Sequence, residues 1–216
     1  PSLRNAMVKL NDGISGEGNA VVDLNGLPDT KTTDFRTVLE QRLRSMLFES
    51  AAVTFDSFGK SLGDMGGIAE ERIEGSDFCS PSVQMRVSPL GEVEILSTHD
   101  QLLGGPSGQS FLGSQFPADP QYGPLIASEA RKIGERLADY GALGRFAVDF
   151  VVVRNEQGEW ESYAIEINLR IGGTTHPFEI LQFLTDGSYV DEEGLLRAPS
   201  GKAKYYVASD HLESTL

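Results

Sequence analysis

The chain has 216 residues, a net charge of −14 and 39% hydrophobic residues, a composition typical of globular proteins. The negative charge argues against non-specific binding to nucleic acid or to an anionic membrane, because both need a basic surface. The single cysteine, Cys79, excludes an internal disulfide, and the sequence contains neither a signal-peptide core nor an apolar run of transmembrane length. We therefore expect a cytoplasmic protein with no nucleic-acid or membrane partner.

The first predicted strand, residues 6–10, carries Lys9 and leads into a loop with three glycines before a second strand at residues 20–24. Glycines let backbone N–H groups approach phosphates and a lysine adds a point charge, so this segment is a candidate phosphate clamp. It matches neither a Walker A motif nor a Rossmann fingerprint, because no Gly-Lys-Ser/Thr closes the loop and a strand follows it. A glycine-rich hairpin loop with no ligand fits the same residues equally well.

The spacing of apolar residues predicts a helix over residues 34–48, with Thr33 or Asp34 as its N-cap. A strand is predicted at residues 67–74, GIAEERIE, and its end at Ile-Glu-Gly suits a crossover between two lobes. An ordinary charged edge strand explains that segment as well. Residues 82–98 then alternate as the two arms of a hairpin.

Residues 99–123 are rich in Gly, Pro and Ser, so the sequence predicts a long loop there. Such a loop is a candidate substrate-contacting or closing segment, and a disordered insertion is the alternative. Helical spacing resumes over residues 124–140, with Pro124 in the first turn and Gly141 as the stop. Beyond residue 178 we predict an apolar helix, an acidic connection and a final strand over residues 202–210, without identifiable chemistry.

A second hairpin carries the clearest chemical signal. Residues 146–153 form one predicted strand and residues 163–170 the other, and folding the pair about residue 157 places Asp149 roughly opposite Glu166. Two carboxylates directly across a ladder repel each other, and a cation between them relieves that repulsion. Oxygen ligands without Cys or His suit Mg²⁺ or Mn²⁺ and not zinc.

Period-two alternation on the second strand predicts one buried apolar face and one polar face. The polar face would carry Glu166, Asn168 and Arg170 in phase with Asp149. The alternative is that these are unrelated solvated residues on the open face of a sheet. The predicted buried residues are Ile165, Ile167 and Leu169.

Taken in order, Lys9 with its glycine loop, AEERIEG, FAVDF and EINLRIGGTTHP resemble an ATP-grasp enzyme. The most specific part, Glu166-x-Asn168-x-Arg170 followed by His176-Pro177, is similar to the metal-and-arginine strand of biotin carboxylase and to the Glu-x-Asn strand of D-alanine–D-alanine ligase. The resemblance implies an α+β fold of two lobes, each with an antiparallel sheet and packed helices, and the nucleotide between them. The implied domains are a small lobe over residues 1–73, a large lobe over residues 74–178 and the start of a C-terminal extension over residues 179–216.

The resemblance also implies a role for each matched position. Lys9 and Arg170 would be the catalytic cations, one on the ATP phosphates and the other on the transferring phosphoryl group or acyl phosphate, and Asp77 would bind the ribose hydroxyls. The implied glycine lid is Gly13, Gly16 and Gly18, the hinge that reads adenine is Glu70, Glu71, Arg72 and Ile73, and the Mg²⁺ or Mn²⁺ ligands are Asp149, Glu166 and Asn168.

Within the superfamily, NLRIGGTTHP and STHDQLLGGPSGQSFLG are most similar to carboxylate–amine ligases related to the pheganomycin-type peptide ligases. The implied activity is formation of an amide from a small-molecule or peptide carboxylate and an amine, through an acyl phosphate, with ATP and Mg²⁺. We expect the chain to be a fragment that lacks the upstream domain of this family.

Two other functions are weighed against the ligase. The alternative is an incomplete or degenerate ATP-grasp module that binds nucleotide or a protein partner without turnover. A hydrolase is disfavoured, because the sequence has no Gly-x-Ser-x-Gly elbow. The roles of Arg86, Arg145 and His176 stay open.

Overall fold

A computed structural model describes residues 3–13, 18–106 and 108–209, and within these ranges the chain is a mixture of antiparallel strands and helices. Gly16 of the predicted lid lies outside the described residues. The helices are α1 Phe35–Arg44, α2 Phe55–Met65, α3 Gly123–Asp139 and α4 Thr175–Thr185. The strands are β1 Asn5–Leu10, β2 Asn19–Asp23, β3 Leu47–Phe48, β4 Gly67–Glu71, β5 Ser76–Cys79, β6 Pro81–Val87, β7 Val93–Gly104, β8 Ser110–Phe116, β9 Gly144–Arg154, β10 Trp160–Asn168, β11 Ser188–Val190, β12 Leu195–Arg197, β13 Ala203–Lys204 and β14 Tyr206–Ser209.

The chain divides into two compact units, a smaller one of Pro1–Ile73 with Leu103–Phe111 and a larger one of Glu74–Leu102 with Leu112–Leu216. In the described part of the smaller unit the sheet has the order β3-β2-β1-β4, and its pairings are antiparallel. Residues 179–209 belong to the larger unit, where α4 continues through residue 179 without a break. The sequence-based domain boundaries stay predictions.

Helix α1 is shorter than the predicted 34–48. The amide of Ser45 bonds the carbonyls of Gln41 and Arg42, which tightens the last turn, and residues 47–48 then pair with β2 as a short strand. Helix α2 is absent from the sequence-based prediction because its glycines have low helix propensity. A capping box in which Thr54 and Ser57 bond each other's backbone amides was the signal for it.

The sheet of the larger unit has the order β10-β9-β6-β7-β8-β14 in the described residues, with β5 also paired to β9. One face packs on α3 around a core in which Val83 and Met85 of β6 meet Ile126 and Ala130 of the helix. Alternate residues of β9 join this core, so Asp149 points to the opposite face. These β9 core residues are Phe146, Val148, Phe150 and Val152.

The predicted loop over residues 99–123 is wrong for most of its length. Strand β7 continues to Gly104, and β8 returns along residues 110–116 to form a long hairpin. The strands escaped prediction because several of their buried side chains are polar, so apolar alternation is missing. These buried polar residues are Ser97, Thr98, His99 and Ser114.

The last residues of the described chain complete the larger unit. The predicted strand over residues 202–210 is two short strands, β13 and β14, and β14 pairs with β8 so that Tyr206 lies opposite Phe116. The predicted acidic connection includes β11 and β12, which pair with each other and bury Leu196 against Phe116 and Phe178. None of the helices in the described residues is long and apolar enough to span a bilayer.

Candidate functional site

The candidate site is organised by the β9–β10 hairpin. Its turn is fixed locally, because the Asn155 side-chain oxygen accepts the backbone amides of Gln157 and Glu159. Gly158 adopts a φ of +80°, a conformation that favours glycine. The turn therefore sets the register of the two strands that follow from it.

A β-bulge at Ile165 adjusts that register by one residue. Before the bulge Ala164 lies opposite Phe150, and after it Glu166 lies directly opposite Asp149 and Asn168 opposite Ala147. Side chains directly opposite in an antiparallel pair share a face, so Glu166 and Asn168 lie on the Asp149 side of the sheet. The predicted juxtaposition of the two carboxylates is present.

Hydrogen bonds link these side chains in a row. Asn168 Nδ2 donates to Asp149 Oδ2 at 3.0 Å, and Arg170 Nη2 donates to Asn168 Oδ1 at 3.1 Å. Glu166 and Arg170 are exposed, whereas Asp149 and Asn168 are half-buried. We call Asp149, Glu166, Asn168 and Arg170 the acid cluster.

The surroundings of the Asp149 carboxylate disfavour its ionised form. Burial raises the pKa of Asp149 to about 6, and the neighbouring Glu166 carboxylate adds to this rise. Hydrogen bonds with the side chains of Ser82 and Gln101 and the charge of Arg170 oppose it. A cation next to Asp149 would favour its ionised form and lower this pKa.

Ser82 and Gln101 are functional candidates that the sequence alone does not reveal. Ser82 is on β6, where it pairs directly opposite Asp149 of β9. Gln101 is on β7, where its backbone amide bonds the Ser80 carbonyl. Both residues come from strands distant in sequence from β9, so hairpin spacing gives no signal for them.

The predicted burial of one face of β10 is wrong. Ile167 and Leu169 are 47% and 63% exposed, and Ile165 is half-buried. Strand β10 is the outermost strand of its sheet order, and Ile165 and Ile167 do not belong to the core under α3, against which Trp160 at the start of the strand packs. The alternation therefore identified the strand and its polar face but not its burial.

The candidate metal ligands of the acid cluster, Asp149, Glu166 and Asn168, offer only carboxylate and amide oxygens. In the described ranges, no group of three Asp, Glu, His or Cys side chains is placed to hold a metal ion. Two carboxylates and one amide oxygen fit a hard cation that takes the rest of its shell from water or phosphate, which is how Mg²⁺ usually binds. In this arrangement the side-chain oxygen of Asn168 accepts a hydrogen bond from Arg170, and the side-chain amino group of Asn168 donates one to Asp149.

Lys9 and the predicted lid lie in the smaller unit. The Lys9 ammonium forms an ion pair with the Glu70 carboxylate of the neighbouring strand β4. Gly13 and Gly18 approach each other closely, since a Cβ on Gly18 would lie 2.6 Å from the Gly13 Cα. The glycines here are therefore required by backbone contact, whatever their role toward phosphate.

The predicted hinge begins on β4 with Glu70 and Glu71. The Arg72 amide donates to the Asn5 carbonyl at 3.1 Å, and Ile73 is the last residue of the first segment of the smaller unit. Asp77, the predicted ribose ligand, belongs to the larger unit. It has a φ of +53°, and its Oδ2 pairs with Arg154 Nε at 2.9 Å.

The residues whose roles stay open occupy surface positions of the larger unit. Arg145 Nη1 pairs with Glu179 Oε1 of α4 at 2.8 Å, and Arg86 pairs across strands with Glu94. His176 is the second residue of α4 and is exposed.

Comparison with known proteins places the sequence in a family. The sequence matches the family described as IQCH-like, ATP-grasp over residues 29–191. It is 35% identical to the L-propargylglycine–L-glutamate ligase of Streptantibioticus cattleyicolor over 218 residues, which cover 98% of this chain and 40% of that ligase. The chain thus spans less than half the length of that relative.

Solved structures share the fold. Biotin carboxylase from Campylobacter jejuni, in its β,γ-ATP complex, superposes with a TM-score of 0.55 at 16% identity, over 82% of this chain and 33% of that one. N5-carboxyaminoimidazole synthetase from Staphylococcus aureus, complexed with ADP, gives 0.55 at 14% identity, over 88% and 39%. The fold is therefore the predicted α+β ATP-grasp fold, and the chain belongs to the IQCH-like ATP-grasp family.

Proposed function

We propose that this chain is the nucleotide- and Mg²⁺-binding part of an ATP-dependent carboxylate–amine ligase. The observation that carries the proposal is the placement of Asp149 directly opposite Glu166, with Asn168 bonded between Asp149 and Arg170. Paired carboxylates beside an arginine are poorly explained by packing, because like charges across a ladder destabilise a sheet. They are well suited to a cation and a phosphoryl group.

In this proposal Asp149, Glu166 and Asn168 hold Mg²⁺, or Mn²⁺, through oxygen atoms. A bound cation supplies charge neutralisation for the phosphates. Ser82 and Gln101 hold the Asp149 carboxylate through hydrogen bonds. Because the Asn168 amino group bonds Asp149, cation binding requires the amide to exchange this bond for contact through its oxygen.

The nucleotide contacts are proposed for both units. Lys9 would contact the phosphates, with the backbone of Gly13, Gly16 and Gly18 over them, and its ion pair with Glu70 would be exchanged for phosphate oxygens. Asp77 would bind the ribose while Arg154 orients its carboxylate. The backbone of residues 70–73 would read the adenine.

The proposed reaction needs no protein nucleophile. An oxygen of the substrate carboxylate attacks the γ-phosphorus, the bond to the bridging oxygen breaks, and ADP leaves. The amine nitrogen then attacks the acyl phosphate, inorganic phosphate departs, and the amine loses a proton as the amide forms. Lys9 and Arg170 act by positioning the groups and stabilising their negative charge.

The substrate class is taken from the relative. That relative is a ligase named for L-propargylglycine and L-glutamate, both amino acids. We therefore propose that this chain acts on small carboxylates and amines of the amino-acid or peptide type.

The test is ADP release by the full-length protein with pairs of amino acids, each pair containing L-glutamate, which is tried both as the carboxylate and as the amine. We expect ADP release that depends on both substrates, with an amide product detected by mass spectrometry. Arg170→Ala should slow turnover by roughly 100-fold. The matched control Arg86→Ala, which removes an exposed arginine on β6, should turn over as wild type.

A module that binds nucleotide without turnover is the second candidate. The Lys9–Glu70 ion pair favours it, because the predicted phosphate cation already has a carboxylate partner. Nucleotide binding without ADP release for any substrate pair would support this candidate and overturn the ligase.

A further inference from the structure

The larger unit contains a buried histidine that the proposed ligase chemistry does not use. His99 on β7 is 0% exposed. Its ring lies against three aromatic rings, with centroid distances of 5.4 Å to Phe116, 6.0 Å to Phe178 and 5.8 Å to Tyr206. An imidazole in such a place must have hydrogen-bond partners, because burying an unpaired polar group is costly.

Both ring nitrogens have partners. His99 Nε2 lies 2.7 Å from Ser97 Oγ, and Nδ1 lies 3.0 Å from the Tyr206 hydroxyl. The Tyr206 hydroxyl in turn lies 3.3 Å from the backbone carbonyl oxygen of Thr174. Four groups from three different segments of the chain thus form one continuous row.

The Thr174 carbonyl at the end of the row determines which group donates in the hydrogen bonds that lead to it. A carbonyl only accepts, so Tyr206 must donate its single hydroxyl proton to Thr174. Burial raises the pKa of Tyr206 to about 12, which keeps that proton in place. Toward His99 the Tyr206 oxygen is therefore an acceptor, as it is toward the Ser114 side chain, and His99 carries its proton on Nδ1.

The other nitrogen follows from the same logic. Desolvation lowers the pKa of His99 to about 3, so the ring is neutral and Nε2 is an acceptor. Ser97 then donates its hydroxyl proton to Nε2. The direction of donation is the same throughout, from Ser97 to His99 to Tyr206 to Thr174, and each bond in such a row polarises the next.

The row ends at a turn next to the acid cluster. Thr174 is the N-cap of α4, and it lies in a turn closed by the Thr175 amide on the Gly172 carbonyl at 3.1 Å. The Gly172 amide donates in return to Thr175 Oγ1 at 3.2 Å. Arg170 precedes this turn by two residues.

We infer that His99 and Tyr206 are positioning residues, whose hydrogen bonds leading to the Thr174 carbonyl fix the Gly172–Thr175 turn and the start of α4, while Ser97 serves only to set the His99 tautomer. Packing alone does not require this row, because Phe116 and Phe178 fill the same cluster without polar atoms. A consequence for catalysis rests on the proposed function, in which Arg170 stabilises the phosphoryl group. The positioning of the turn itself rests only on the geometry of the larger unit.

Tyr206→Phe is the direct test, because it removes one hydroxyl and keeps the ring that stacks on Phe116 at 5.7 Å. Its matched control is Tyr205→Phe, which alters a neighbouring ring that is 61% exposed. Hydrogen–deuterium exchange of the full-length protein should be roughly two- to tenfold faster over residues 172–178 in Tyr206→Phe, as expected for the loss of one hydrogen bond. Exchange in Tyr205→Phe should match wild type.

Ser97→Ala separates positioning from general weakening of the cluster. It removes the donor to Nε2 and leaves the Nδ1 proton, Tyr206 and Thr174 connected, so exchange over residues 172–178 should stay at the wild-type rate. Equal acceleration in Ser97→Ala and Tyr206→Phe would overturn the inference, as would no acceleration in Tyr206→Phe.

A spectroscopic measurement tests the proton arrangement itself. The sequence has three histidines, and His99 can be assigned in a ¹⁵N-histidine spectrum by its loss in His99→Gln. We expect a protonated, pyrrole-type Nδ1 and an unprotonated, pyridine-type Nε2. The opposite tautomer would overturn the inference. Neither readout needs nucleotide or turnover, so failure here is distinct from failure of the ligase proposal.

Discussion

In the acid cluster of the larger unit, side chains on and just after two paired strands form hydrogen bonds with one another. In the smaller unit, Lys9 instead forms an ion pair with a carboxylate of its own sheet. The acid cluster holds two carboxylates opposite each other, and burial, with a smaller contribution from Glu166, raises the pKa of Asp149. A bound cation would relieve both costs. The Lys9–Glu70 pair carries no such cost. We infer that a cation would bind the first region readily, and that phosphate must compete with Glu70 in the second.

The largest expected effect concerns the core on which the acid cluster is built. Phe150 follows Asp149 on β9, is 1% exposed and packs on the α3 side of the sheet. Phe150→Ala should lower the free energy of unfolding by about 3–5 kcal/mol in urea titrations, because it leaves a cavity.

The matched control is Leu90→Ala in the β6–β7 turn, where the side chain is 84% exposed. It should change the free energy of unfolding by less than about 0.5 kcal/mol. Similar changes in unfolding free energy for the two variants would contradict a packed core beneath β9. The acid cluster would then have no rigid support.

The second prediction uses the pH dependence of stability. The pKa of His99 is lowered to about 3 by burial, from 6.5, so between these values the unfolded chain binds a proton that the folded chain does not. Stability from His99 is therefore complete above pH 6.5 and is lost as the pH falls. Asp149 acts in the opposite direction, because its raised pKa lets the folded chain bind a proton first below about pH 6.

A double difference isolates the histidine. The free-energy difference between wild type and His99→Gln should shrink by about 2 kcal/mol between pH 7 and pH 5, with the Asp149 contribution cancelling between the two proteins. Urea unfolding in metal-free buffer measures it. A difference independent of pH would mean that His99 is protonated in the folded state or accessible to water.

The third prediction concerns the smaller unit, where Glu70 and phosphate would compete for Lys9. Glu70→Gln removes the carboxylate that pairs with Lys9 and should tighten binding of a non-hydrolysable ATP analogue by about fivefold, because such a pair is worth up to about 1 kcal/mol. Asp64→Asn, which removes an exposed carboxylate from α2 of the smaller unit, is the control and should bind as wild type. Unchanged affinity in Glu70→Gln would show that Lys9 does not meet the phosphates.

The smallest expected effect is at the surface. Arg86 Nη2 pairs with Glu94 Oε2 at 2.5 Å across β6 and β7, but the two side chains are 46% and 41% exposed. Arg86→Ala should cost less than about 1 kcal/mol of unfolding free energy, and added salt should reduce the cost further. A larger cost would mean that exposed charge pairs in this protein behave like buried ones.

Local patterns predicted the parts of the fold that local residues determine. The strands of the β9–β10 hairpin and helix α3 follow from alternation and helical spacing, but the pairing of Asp149 with Glu166 does not follow from the turn, whose register would place Asp149 opposite Ile165. The one-residue bulge at Ile165 brings the two carboxylates directly opposite, and nothing in the sequence marks it.

The rest depends on pairing between distant segments. Strands β7 and β8 bury polar residues such as His99 and Ser114, so hydrophobic periodicity does not reveal the full length of these strands. Ser82 contacts Asp149 because β6 lies beside β9, although two strands and a helix separate them in sequence. A single sequence holds no signal for such a contact.

The most direct test of the acid cluster is calorimetric titration of the full-length protein with a β,γ-methylene ATP analogue, with Mg²⁺ and with EDTA. The proposal predicts binding that requires Mg²⁺ and that Glu166→Ala weakens by roughly 100-fold. The control Glu161→Ala, which alters a glutamate near the start of β10, should bind as wild type. Equal binding in EDTA, or wild-type affinity in Glu166→Ala, would contradict a metal site at the acid cluster.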